Sequence, residues 1–213
     1  MTALKTRLRL YLVTDAVLCT TPDLVTTVRL AVANGVTMVQ LREKTATTAQ
    51  RVQMALALKE ALAGTGVPLV VNDDVAAAVA ADVDGAHIGQ GDMSIAQARA
   101  LLGPDKILGL SCETSQAVQA ADPALVDYLG LGPVFGTATK TDHAQPIGLD
   151  GLAQLVALSP LPNVAIGGLK ATHIGDVHKS GADGMAVVSA ICGQADPAAA
   201  TRAFKALITE EAL

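Results

Sequence analysis

Three features of the 213-residue sequence predict a single (β/α)8 (TIM) barrel of parallel strands ringed by helices. Eight short runs are apolar throughout rather than alternating, the pattern of strands covered on both faces. They alternate with longer, Ala-rich segments of helical character, and no stretch is left over for a second domain. Unusual polar residues gather just after the apolar runs, at the rim where barrels of this kind carry their chemistry. An open doubly wound sheet fits less well, because its functional loops cluster at one crevice.

The strands are expected near residues 8–13, 38–41, 68–71, 85–88, 107–110, 128–131, 164–166 and 185–188. Helices are expected near 23–33, 48–63, 75–81, 95–102, 115–121, 149–158, 172–179 and 197–208. Pro22-Asp23 and Asp196-Pro197 read as helix starts. Ala33-Asn34-Gly35 and the two echoing stretches that end in Asp84-Gly85 and Asp183-Gly184 read as turns back into strands. The longest irregular stretch, 132–148, is long enough to be a functional loop.

Composition narrows the function. With 51% apolar and 16% charged residues the chain is globular. Aromatic residues are only 2%, so stacking platforms for single-stranded nucleic acid are scarce. A net charge of −5 without any Lys/Arg run argues against duplex nucleic acid. Cys19, Cys112 and Cys192 lack metal-ligand spacing and read as reduced thiols of a cytoplasmic protein. No apolar stretch approaches a membrane span, and the run after Arg9 is too short for a signal-peptide core.

The rim residues follow strand by strand. After the second strand, alternation puts Gln40, Arg42 and Lys44 on one side of an extended segment. Arg42 can fork two phosphate oxygens and Lys44 adds a point charge; a solvated strand end with a Glu43/Lys44 pair is the ordinary alternative. After the third strand come Asn72, Asp73 and Asp74. Asp74 reads as a helix N-cap, and Asp73 as an oxygen ligand for Mg²⁺. Near the end of the fourth strand stands His87, more often hydrogen-bonded structure than catalyst; Gln90 follows between two glycines, and then Asp92. Asp92 reaches the rim one unit after Asp73, so the two carboxylates can share one ion. After the fifth strand, Ser111 either donates to a phosphate or caps the next helix, as Thr114 also can. No His/Asp pattern marks Ser111 as an activated nucleophile.

The loop after the sixth strand carries Thr137, Thr139 and Lys140 among glycines and suits a flap closing over an anionic leaving group. Gly167-Gly168 after the seventh strand and Ser189 after the eighth fit the bare-backbone phosphate site that recurs there in this fold. Jointly these residues describe a metal–diphosphate site beside a monophosphate site.

In sequence order, the segments Tyr11–Asp15, 40–44, 71–74, 84–92, 109–111, 128–140, 166–168 and 188–191 make the chain resemble thiamine-phosphate synthase nearly end to end. The resemblance implies an enzyme that couples hydroxymethylpyrimidine diphosphate to a thiazole phosphate, with Mg²⁺ as cofactor. It implies that Gln40, Arg42 and Lys44 meet the pyrimidine diphosphate, that Asn72, Ser111 and Lys140 contact the diphosphate, and that Asp73 and Asp92 bind Mg²⁺. Arg42, Ser111 and Lys140 would be catalytic. Thr137 and Thr139 would line the flap, and Gly168, Val188 and Ser189 would cradle the thiazole phosphate. Phe135-Gly136 departs mildly from the loop expected before the flap threonines. A thiazole tautomerase on the same scaffold, or a non-catalytic phosphate-binding barrel, would not need the metal–diphosphate clamp. Partners are then small phosphorylated molecules, not nucleic acid or membrane; pairing of identical copies through apolar helix faces is left open.

Overall fold

A computed structural model of the chain describes residues 3–136 and 145–210, so Thr137, Thr139 and Lys140 lie outside the described residues. The strands are β1 (Leu10–Val13), β2 (Met38–Leu41), β3 (Leu69–Asn72), β4 (Gly85–Ile88), β5 (Ile107–Cys112), β6 (Tyr128–Leu131), β7 (Asn163–Ile166) and β8 (Met185–Val187). They pair in parallel in chain order, and β8 returns to β1, where Tyr11 faces Ala186, to close the barrel.

The helices are α1 (Ala3–Leu8), α2 (Leu24–Asn34), α3 (Thr48–Ala61), α4 (Val75–Ala80), α5 (Ile95–Leu102), α6 (Ser115–Ala120), α7 (Gly148–Leu158), α8 (Ile174–Lys179) and α9 (Pro197–Glu210). The starts of α2 to α6 are fixed by side-chain caps. Asp23, Asp74, Ser94 and Thr114 each accept a backbone N–H three residues on, and Thr47 and Gln50 form a reciprocal capping box. The segment expected as one helix over 172–179 divides into a 3₁₀ turn, Ala171–His173, and α8.

Most strand residues are buried on both faces, which explains the unbroken apolar runs. The outward side chains join the large aliphatic layer under the helices. The inward ones, Tyr11, Met38, Val70, Tyr128, Val164 and Ala186, fill the lumen. The first expected strand is corrected here: Leu8 ends α1 and the strand begins at Leu10. Leu8 and Leu10 look like one apolar run in sequence, but Leu8 is fully buried beside Tyr11 and Met38 as part of a helical plug on the barrel floor.

At that floor one device recurs four times. A residue one or two positions before each even-numbered strand accepts a side-chain hydrogen bond from an N–H of the preceding strand. Thr37 Oγ1 accepts from Leu10, Asp84 from Leu69, Asp127 from Leu108 and Asp183 from Asn163, at 3.0, 2.8, 2.7 and 2.9 Å. The same four residues donate their own N–H to the carbonyl of that same partner. The echo between Asp84-Gly85 and Asp183-Gly184 is part of this pattern. The glycines in it are forced, because a Cβ on Gly85 would lie 1.9 Å from Ile107 O and one on Gly184 2.0 Å from Leu8 O.

The three cysteines are buried and none is in a disulfide. Among the described residues no helix is long and apolar enough to cross a membrane.

Candidate active site

The carboxyl-end mouth of the barrel opens into a cavity of about 430 Å³. Gln40, Arg42, Lys44, Asn72, Asp73, Asp92, Ser111, Gly168, Val188 and Ser189 all line it. Every candidate among the described residues therefore converges on one site.

The cationic side is built from β2 and the loop after it. Arg42 donates its backbone N–H to Thr14 Oγ1 at 3.1 Å, and its guanidinium lies 3.7 Å from Asp15 Oδ2. Arg51, one turn into α3, holds the same loop from behind. It donates to the carbonyls of Glu43 and Lys44 at 2.9 and 3.3 Å and to Asp74 at 3.0 Å. Burial opposes the charge on Asp74, yet the Ala77 N–H, Thr48 and Arg51 hold its carboxyl below the ordinary range. One arginine thus ties the loop bearing Arg42 and Lys44 to the residue next to Asp73.

Asp73 sits in the left-handed region with φ 62°, a conformation Asp tolerates better than most residues. Its N–H donates to His87 O at 2.8 Å, so β4 helps to set that conformation. Asp92 Oδ2 accepts the Gly89 N–H at 2.7 Å, which turns the loop after β4 back toward the rim. The two carboxyls adjoin. Desolvation at the cavity mouth, then the neighbouring Asp92, push Asp73 up to about 6, against the pull of Arg42 and Asn72. An acidic pair crowded in this way favours a cation between its members. Among the described residues no group of three or more His, Cys, Asp or Glu is arranged to hold a metal. Two carboxylates are the protein donor set Mg²⁺ commonly takes, with water and substrate oxygens completing its shell.

Ser111 resolves differently from one of its two readings. It lies inside β5 and does not cap α6, whose N-cap is Thr114. Ser111 Oγ is instead 2.9 Å from His87 Nε2. The sequence does not single out that contact as part of the site, nor Tyr11, which lines the cavity, nor Tyr128 and Asp15. Asp15 had a usable signal, since it too follows a strand. The glycines of the opposite wall have φ 104° at Gly167 and 64° at Gly168. A Cβ on Gly168 would lie 2.7 Å from Gly136 O, so bare backbone is needed there. Beside them, Ile191 and Cys192 donate their N–H groups to Val188 O and close a turn at Val188 and Ser189.

Comparison with known proteins gives the family. The family model described as thiamine monophosphate synthase matches residues 10–191. The chain is 53% identical over 193 residues to a thiamine-phosphate synthase of Psychrobacter sp., covering 89% of this chain and 90% of that one. It is 51% identical over 201 residues to the thiamine-phosphate synthase of Xanthobacter autotrophicus, covering 94% and 95%. Among solved structures, a thiamine phosphate pyrophosphorylase from Pyrococcus furiosus superposes with a TM-score of 0.88 at 34% identity and covers 98% of both chains. The chain belongs to the thiamine monophosphate synthase family.

Proposed function

We propose that the chain joins hydroxymethylpyrimidine diphosphate to thiazole phosphate, giving thiamine phosphate and pyrophosphate, with Mg²⁺ as its metal. The observation that carries this reading is the adjoining Asp73–Asp92 pair beside Arg42 at the mouth of the cavity. Asp73 and Asp92 would hold Mg²⁺, which when bound neutralises charge on a leaving diphosphate.

The remaining roles follow from what each side chain can donate. Arg42 forks two diphosphate oxygens and Lys44 adds a point charge. Asn72 and Ser111 donate hydrogen bonds to the same group, and Gln40 meets the pyrimidine. The bond between the pyrimidine methylene carbon and the diphosphate oxygen breaks, and its electron pair leaves on the diphosphate. The aminopyrimidine ring delocalises the resulting cation, and the thiazole nitrogen donates its lone pair to that carbon. No protein nucleophile takes part, so the rate comes from positioning and electrostatic stabilisation. Gly168, Val188 and Ser189 hold the thiazole phosphate. Lys140 on the diphosphate, and Thr137 and Thr139 between the substrates, enter on the family resemblance. The buried, unbridged thiols suit the reducing cytoplasm as the compartment.

Purified chain supplied with both substrates and Mg²⁺ is expected to release one pyrophosphate per thiamine phosphate formed, and to lose that release on chelation. Release that survives chelation would reject the metal assignment. Product formation without pyrophosphate would reject the reaction. Arg51, though outside the cavity lining, should matter because it ties the cationic loop to Asp74. Arg51→Ala is expected to lower kcat/KM about tenfold, the cost of misplacing groups that contact the reacting atoms. Steady-state kinetics on a variant with wild-type circular dichroism checks this; unchanged kinetics would remove Arg51 from the site's support.

A further inference from the structure

A chain of hydrogen bonds crosses the barrel beneath the cavity. Gln40 Nε2 donates to the Tyr11 hydroxyl at 2.7 Å. The hydroxyls of Tyr11 and Tyr128 are 2.8 Å apart. Tyr128 Oη is 2.8 Å from His87 Nδ1, and His87 Nε2 is 2.9 Å from Ser111 Oγ. Five strands contribute one residue each, and the chain ends at a hydroxyl that lines the site. Room for it is built into β5 and β6. A Cβ on Gly109 would lie 2.2 Å from Tyr128 Cζ and 2.4 Å from His87 Nδ1, and one on Gly130 3.2 Å from His87 Cε1.

Counting hydrogens gives the chain a direction. A phenol carries one hydrogen and a neutral imidazole one N–H. Burial pushes both phenols far above their ordinary range, so both keep their hydrogens. With Gln40 donating to Tyr11, the Tyr11 hydrogen goes to Tyr128 and the Tyr128 hydrogen to His87 Nδ1. The ring hydrogen then sits on Nε2 and goes to Ser111 Oγ. The Ser111 hydrogen is left over and points to the cavity. The opposite polarity would need Gln40 turned to accept, and it would leave Ser111 facing an anion with lone pairs alone.

We propose that Tyr11, Tyr128 and His87 are positioning residues that fix the Ser111 hydroxyl as a hydrogen-bond donor to the departing diphosphate, a role that rests on the reaction proposed above. The relay orients a hydroxyl and moves no proton during turnover. The carboxylates and cations hold the charge; the relay ensures that the Ser111 hydroxyl presents its hydrogen.

The first test needs no turnover. Nitrogen-15 NMR of the full chain with labelled histidine, at a pH where the rings are neutral, is expected to show His87 protonated on Nε2. The resonance is assigned by its loss in His87→Gln, since the sequence has four histidines. A hydrogen on Nδ1 overturns the relay while leaving the reaction intact. The second test couples the two. Tyr128→Phe is expected to give mixed His87 tautomers and to lower kcat about tenfold, with KM for the diphosphate substrate changed less. Ser111→Ala should show a similar loss, and the double variant little more than either. Wild-type tautomer and wild-type kcat in Tyr128→Phe overturn the proposal. An unaltered chain that releases no pyrophosphate from the two substrates sinks the reaction and the relay's purpose together, which separates that failure from a wrong tautomer.

Discussion

Asp73→Asn is expected to lower kcat/KM at least about a hundredfold and, in chelator, to make the protein more stable. The activity loss follows from removing one of two metal-binding carboxylates. The stability gain follows from its raised pKa. A carboxyl shifted from 3.8 to about 6 on folding contributes stability at low pH that is lost as pH rises through that window. At pH 8 the wild type therefore carries a net unfavourable charge that Asn lacks. The gain is about 1 kcal/mol, well below the full shift because the side chain opens to solvent, or a Tm rise of about 3 °C. Asn tolerates the left-handed backbone as Asp does, so no strain is added. Thermal unfolding in chelator at pH 8 and pH 4 checks the sign: the gain should be present at pH 8 and absent at pH 4. Mg²⁺ should raise the Tm of the wild type and not of the variant. A variant less stable than wild type at pH 8 would contradict the crowded-carboxyl account.

Gly109→Ala is expected to destabilise the fold strongly. Its added methyl group would lie 2.2 Å from Tyr128 Cζ and 2.4 Å from both the Tyr128 hydroxyl and His87 Nδ1. The tyrosine is fully buried. Relief requires moving the ring or the strand, at a cost of roughly 3 kcal/mol, or about 10 °C in Tm. Gly91→Ala is the matched comparison, because nothing lies within 4 Å of the position its methyl would take. Denaturant unfolding of the two variants should separate them clearly. Equal stability would mean the lumen has slack that the close packing of Tyr128 and His87 does not show.

Much of this architecture was legible in the chain. The strand at Met38–Leu41 and the helix at Ile95–Leu102 are where the apolar run and the Ala-rich segment place them. The convergence of Asp73, Asp92 and Arg42 was legible because each follows its own strand, and a closed barrel brings consecutive strand ends together. What stayed hidden depends on closure across the barrel. Tyr11 and Tyr128 are 117 residues apart and meet only because β1 and β6 face one lumen. The link between His87 and Ser111 joins neighbouring strands, but nothing in either segment tells that both side chains turn inward. Ser111 could be read as a cap because hydroxyls before helices usually are caps; Thr114, three residues on, takes that role. The last residue of the plug formed by Ala3–Leu8 reads as strand in sequence because period alone cannot divide Leu8 from Leu10.

The recurring latch at Thr37, Asp84, Asp127 and Asp183 bears on how the molecule tolerates change. Each latch staples an odd strand to its even successor by two bonds to one residue, so sliding either strand by a single position would break both. Alignment of the sheet is thus settled in four independent places, all at the end of the barrel away from the substrates. Loops at the opposite mouth can lengthen, shorten or change their side chains without loosening the frame that aims them.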